Sequence, residues 1–78
     1  MLFIIAKIYE YFYHLEVFTV TSDSVDNQGL KFCVGDRFVV LESDKDAILI
    51  EKIGDSHNPY FVSAEFLHSI SDFVNLNN

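Results

Sequence analysis

A single cysteine, Cys33, leaves this chain no internal disulfide, so its 78 residues must be held by apolar packing, a metal or a partner. A chain of this size hides only roughly 60% of the surface that its unfolded form exposes. One domain is therefore predicted over residues 1–73, with Val74 to Asn78 as a frayed tail carrying three Asn. Half the residues are apolar and 15% aromatic, all Phe and Tyr, which is enough for a real core. The lone thiol fits a reducing setting, and a cytoplasmic location is the expectation.

Charge narrows the partners. Twelve acidic residues against five basic give a net charge of −7. Lys7, Lys31, Arg37, Lys45 and Lys52 stand singly, without the basic cluster that displaces counterions from phosphates. Direct nucleic-acid binding is not expected; a protein partner with a basic surface is. The opening run MLFIIAKIYEYF has no basic residue before it and no small-residue cleavage site after it. Lys7, Glu10 and Glu16 interrupt it well before the ~20 apolar residues of a membrane span, so neither leader nor membrane segment is expected.

Turn residues divide the rest. TSDSVDNQG, Thr21 to Gly29, is the longest loop, and Gly35-Asp36 and Gly54 to Pro59 are further breaks. Gly35 and Gly54 fit turn positions with positive φ. Between them Arg37 to Glu42 and Ala47 to Ile53 are β-branched-rich strands joined through Ser43 to Asp46. Phe38 and Val40 share a face that Ile48 and Ile50 can meet. Tyr60 to Val62 makes a brief strand. Ser63 suits an N-cap for one helical turn to His68, with Glu65 near its positive end. Ile70 to Val74 is expected to close the sheet as a last strand.

The N-terminal segment fits two periods. Ile4, Ile5, Ile8, Tyr11, Phe12 and Leu15 form a helical stripe, yet strict alternation sorts Ile4, Ala6, Ile8 and Phe12 from Tyr9, Tyr11 and Tyr13. Composition favours the strand, which over residues 2–20 would bend near Tyr13 to Leu15. The three tyrosines would then form an outward row about 13 Å long, since each residue rises ~3.3 Å. Tyrosine is enriched where proteins meet, although the same row can be buried under Phe66 and Leu67.

The order of elements, with GLKFCVGDRFVVLE, AILIEKI and YFVSAEFLHSI, resembles the SH3-like barrel of bacterial and phage proteins over about residues 28–70. The resemblance implies an all-β fold, a small SH3-like barrel of five to six bent strands with one short helical turn near Ser63–His68. It implies little about function, because such folds host many unrelated roles. Peptide-binding SH3 domains have adjacent tryptophans and a Pro-x-x-Tyr element. This chain has no Trp, its one Pro is Pro59, and Tyr9-Glu10-Tyr11 only loosely echoes their aromatic-acidic motif. No ligand-binding residue carries over.

Catalytic patterns are lacking. Cys33, between Phe32 and Val34, is expected to be a small buried thiol. His14, His57 and His68 occur in no metal-ligand spacing, and His57 is expected in an exposed loop. The glycines lack the spacing and following Lys of a phosphate loop. Glu42, Asp44, Asp46, Glu51 and Asp55 gather around the Ser43–Asp46 turn, where solvation alone explains them unless they meet a basic partner. No cofactor, metal or enzymatic activity is expected. The expected role is a small acidic interaction module that binds a protein partner, or itself, through Tyr9, Tyr11 and Tyr13 and through Glu42, Asp44 and Asp46. The alternative is a phage or mobile-element inhibitor that covers a basic nucleic-acid-binding surface of a host enzyme.

Overall fold

A β-branched run that folds back on a second one forms the centre of the protein. The computed structural model describes residues 16–74. In it β4 (Arg37–Ser43) pairs antiparallel with β5 (Ala47–Lys52). β1 (Val17–Thr19) lies on the far side of β4, and β6 (Tyr60–Ser63) on the far side of β5. A separate two-stranded ladder joins β2 (Ser24–Val25) to β3 (Lys31–Phe32). A helix, α1 (Ala64–Ile70), follows β6 directly.

Alternation along the strands decides which side chains pack. Phe18, Phe38, Val40, Ile48, Ile50, Tyr60 and Val62 share the inner face with Phe32 of β3, and Ala64, Leu67 and Ile70 of α1 cover it. The helix buries positions three apart, one stripe of a 3.6-residue period. Phe18 stacks on Phe38 at 5.6 Å between centroids and meets the edge of Phe73 at 5.3 Å. Such aromatic pairs add ~0.5–1.5 kcal/mol beyond the area they bury.

A β-bulge at Leu41 is needed for this sorting. Val40 faces Ile50, but the register then slips so that Glu42 faces Leu49 and Ser43 faces Ile48. Continued without the slip, the register would set Glu42 opposite Ile48 on the inner face. A carboxylate there would be desolvated without a partner, at a cost of several kcal/mol. The bulge turns Glu42 out and leaves the smaller Ser43 inside.

Lys52 joins the two sheets. Its Nζ donates to the Lys31 carbonyl, lies 3.9 Å from Asp36 Oδ2 and sits 4.9 Å over the Phe32 ring. The side chain is only 14% exposed, so its charge is compensated where water is scarce.

Several expectations hold. The strands at 37–42 and 47–53 exist within one residue of their predicted ends, and Val40 meets Ile50 across the pair. Ser63 caps the helix by accepting the Phe66 N–H at 3.3 Å, and Gly35 and Gly54 have φ of 94° and 90°.

Others need correction. The loop at Thr21–Gly29 contains β2, a strand hidden by its Ser and Asp neighbours. The helix runs past His68 to Ile70, because Leu67 and Ile70 continue the buried stripe begun at Ala64. Ile70 to Val74 is therefore not a strand. Only Ser71 bridges to Val20, supported by hydrogen bonds from Thr21 N–H to the Ile70 carbonyl and from Asp72 N–H to that of Thr19. Among the described residues the chain is mostly β with one short helix, and its antiparallel sheets do not close into a barrel. The predicted bent strand over residues 2–20 is described only in its last part. Its bend, the Tyr9, Tyr11 and Tyr13 row, and the tail beyond Val74 lie outside the described residues.

Candidate functional site

The β4–β5 hairpin presents the predicted acidic group. Asp44 N–H donates to the Ala47 carbonyl at 3.0 Å and closes the turn, while Asp44 Oδ1 accepts the Lys45 N–H at 2.7 Å. The Asp46 carbonyl accepts the Ala64 N–H at 3.1 Å, which fastens the tip to the first residue of α1. Glu42, Asp44 and Asp46 are all exposed. Among the described residues none of the three forms an ion pair. Three carboxylates and the Lys45 ammonium therefore share one end of the sheet.

An open groove of about 460 Å³ continues from the tip along the helix, lined by Lys45, Asp46, Ser63, Ala64, Glu65, His68 and Val74. It brings Glu65 to the acidic end. Two of its polar side chains are occupied by the fold: Ser63 Oγ accepts from Phe66, and His68 Nδ1 donates to the Phe73 carbonyl at 3.0 Å. Ser63 and His68 are thus held for structure rather than aimed at one another as nucleophile and base.

Asp55 does not belong to this group. It follows β5, roughly 20 Å from the tip along a strand that rises ~3.3 Å per residue. There Asp55 Oδ1 accepts the His57 N–H at 2.7 Å and Oδ2 accepts the Tyr60 hydroxyl at 2.8 Å. Asn58 closes the same loop by exchanging hydrogen bonds with the Lys52 backbone at 2.8 and 2.7 Å. The bond from His57 N–H, then that from Tyr60, hold the Asp55 carboxyl below its ordinary 3.8 against an upward push from desolvation, and the charge of Lys52 adds a lesser downward pull. Partial burial, then the bond to Asp55, pushes the Tyr60 hydroxyl above its ordinary 10.0.

A carboxyl depressed in the folded state stabilises it above the unfolded pKa, and that contribution disappears as pH falls through the folded value. Below pH 3.8 the melting temperature should therefore drop more steeply for the native protein than for Asp55→Asn. Thermal melts across that window check it; parallel curves would mean that the loop contacts contribute nothing.

Cys33 is exposed, contrary to expectation. Alternation after the buried Phe32 turns it outward into the Cys33–Asp36 turn, where its N–H donates to Asp36 Oδ2 at 2.9 Å. Its apolar neighbour Val34 is itself exposed. His57 is exposed as predicted. Among the described residues no three His, Cys, Asp or Glu side chains gather closely enough to hold a metal ion, and no helix is long and apolar enough to cross a membrane.

Sequence reasoning passed over Phe61. It projects from β6 on the outer face of the sheet and is 60% exposed. Its signal was available, because Tyr60 and Val62 on either side are inner-face residues. No family model, curated protein or solved structure matches the chain.

Proposed function

We propose that this protein is a small acidic interaction module that binds a protein partner with a basic surface, without catalysis of its own. The observation that supports it most is the exposed trio Glu42, Asp44 and Asp46, unpaired among the described residues and held at a hairpin tip that is tied to α1. Charges left in this state attract and orient an oppositely charged surface at long range. The same reading covers an inhibitor that masks the nucleic-acid-binding surface of an enzyme, since such surfaces are basic. For the finer fold we read an SH3-like order of elements whose sheets stay open among the described residues. It is favoured by the way α1 follows β6 and delivers Ser71 to Val20 beside β1. In this reading Tyr9, Tyr11 and Tyr13 widen the contact surface.

The test is affinity capture from the native lysate with mass-spectrometric identification, at low and high salt. The native protein is compared with the triple variant Glu42→Gln/Asp44→Asn/Asp46→Asn. Exposed pairs are worth ~0.2–1 kcal/mol each, so losing three should weaken the same partner about tenfold. Binding by the native protein should fall with salt as screening sets in. A partner held equally by both proteins, indifferent to salt, would sink the acidic-tip reading. Loss instead in a folded Tyr9→Ala/Tyr11→Ala variant would move the contact to the N-terminal row.

A further inference from the structure

The outer face of the four-stranded sheet carries a second feature, and its chemistry narrows what the partner must offer. Phe61 stands directly across from Leu49, and Leu49 directly across from Glu42, in one row over β6, β5 and β4. Glu51, two residues along β5 from Leu49, points from the same face. Phe61 is 60% exposed and Leu49 is partly buried, whereas Val39, further along this face, is already 1% exposed. The open apolar surface therefore lies at the β6 end. Neighbouring strands are ~4.8 Å apart, so the row from Phe61 to Glu42 spans only about 10 Å.

We infer that Phe61 and Leu49 form the seat for an apolar side chain of a partner protein, and that Glu42 and Glu51 select a partner whose apolar anchor is flanked by lysine or arginine. This rests on the interaction-module reading and adds the anchor to it. An apolar face alone would accept many occupants. Here neither Glu42 nor Glu51 has an ion-pair partner among the described residues, so a neutral or acidic occupant would desolvate two carboxylates with nothing in return. A second copy of this chain would bring the same pair against itself in a two-fold contact, on top of a net charge of −7. That disfavours self-association at this face.

The partner engages side chains rather than the strand edge. β6 is an outer strand, but the Phe61 carbonyl on its free side already accepts from Gln28 Nε2 at 3.3 Å. This blunts the edge against strand addition. Glu42 belongs both to this row and to the acidic tip, so the two surfaces are continuous. In protein interfaces a few well-packed, desolvated anchors carry most of the binding energy, and Phe61 is the large side chain placed to be one.

The experiment titrates the protein with short synthetic peptides, followed by amide-resolved NMR and by fluorescence anisotropy. The probes alternate lysine with leucine, lysine with serine, or glutamate with leucine. The lysine–leucine peptide should shift the amides of Leu49, Glu51 and Phe61 and bind roughly tenfold more tightly than the lysine–serine peptide. Phe61→Thr, which keeps a strand-forming residue at an exposed position, should lose that tenfold advantage while retaining the weak lysine–serine binding and the native melting temperature. Glu42→Gln/Glu51→Gln should bring the lysine–leucine affinity down to that of the glutamate–leucine peptide. Unchanged affinity in Phe61→Thr, or shifts confined to Asp44 and Asp46, would overturn the seat and leave the acidic tip standing. Equal binding of the glutamate–leucine peptide would overturn the charge selection. A dimer abolished by Phe61→Thr would replace the partner with a second copy, and silence of both lysine peptides at low salt would remove the module reading as well.

Discussion

Phe38→Ala should cost about 3–5 kcal/mol, the usual range for removing a buried phenylalanine ring. Phe38 is 0% exposed and sits where three parts of the chain converge. It pairs with Phe18 of β1 in the ladder, stacks on that ring at 5.6 Å, and lies 6.5 Å from Phe73 after the helix. A native domain of this length has a stability of only about 4–12 kcal/mol at ~0.05–0.15 kcal/mol per residue. The substitution should therefore leave a substantial unfolded population, seen by urea denaturation as a much lower midpoint with a similar slope. Val17→Ala, on the other face of β1 and exposed, should change stability by about 0.5 kcal/mol or less. Because the rings of Phe38 and Phe73 share Phe18, the double variant Phe38→Ala/Phe73→Ala should cost less than the sum of the two singles. Near-equal effects of Phe38→Ala and Val17→Ala would place the core elsewhere.

What the sequence disclosed follows from how locally each feature is encoded. β4 and β5 were legible because Arg37 to Ser43 and Ala47 to Lys52 are dense in β-branched residues and end in turn residues. The Ser63 cap was legible because its interaction spans three residues. The bulge was not, since it depends on which register of two strands keeps Glu42 out and Ile48 in. β2 has only Ser24 and Val25, and its pairing with β3 is what makes it a strand. Closure of the sheet was over-read. The apolar residues Ile70 and Phe73 fit a strand by pattern, but they reach the core from a helix end and from an irregular segment.

The candidate site divides in the same way. That Glu42, Asp44 and Asp46 would be exposed could be read from their place around a turn, and Asp55 could not be separated from them until the direction of β5 was known. Cys33 shows how flanking hydrophobicity misleads: Phe32 takes the inner position, so alternation gives Cys33 to solvent. Phe61 was recoverable by that argument, applied to Tyr60, Phe61 and Val62.

Asp26→Ala should cost about 2–3 kcal/mol of stability, as hydrogen bonds to a charged group contribute ~1.5–3 kcal/mol each and part is recovered by water. Asp26 is the one buried acidic residue among those described, 9% exposed. Its Oδ1 accepts the N–H groups of Gln28 at 2.9 Å and Leu30 at 2.8 Å, while its backbone exchanges bonds with Gly29 and Leu30. Gly29 completes the loop with φ of 89°. One carboxylate thus sets the turn that aligns β2 with β3 and lets Leu30 pack on the core. Asp26→Asn keeps an oxygen in the same place and should lose less than half as much. Amide hydrogen exchange locates the damage: Gln28 and Leu30 should exchange about tenfold faster in Asp26→Ala even after correction for the global loss of stability. Equal losses in the Ala and Asn variants would mean that the charge, rather than the placed oxygen, organises the loop. Phe61 is held by its pairing with Leu49, not by this loop alone, so lysine–leucine peptide binding should survive in Asp26→Ala under conditions where it stays folded. Loss of that binding would make the Gln28 contact to the Phe61 carbonyl part of the seat.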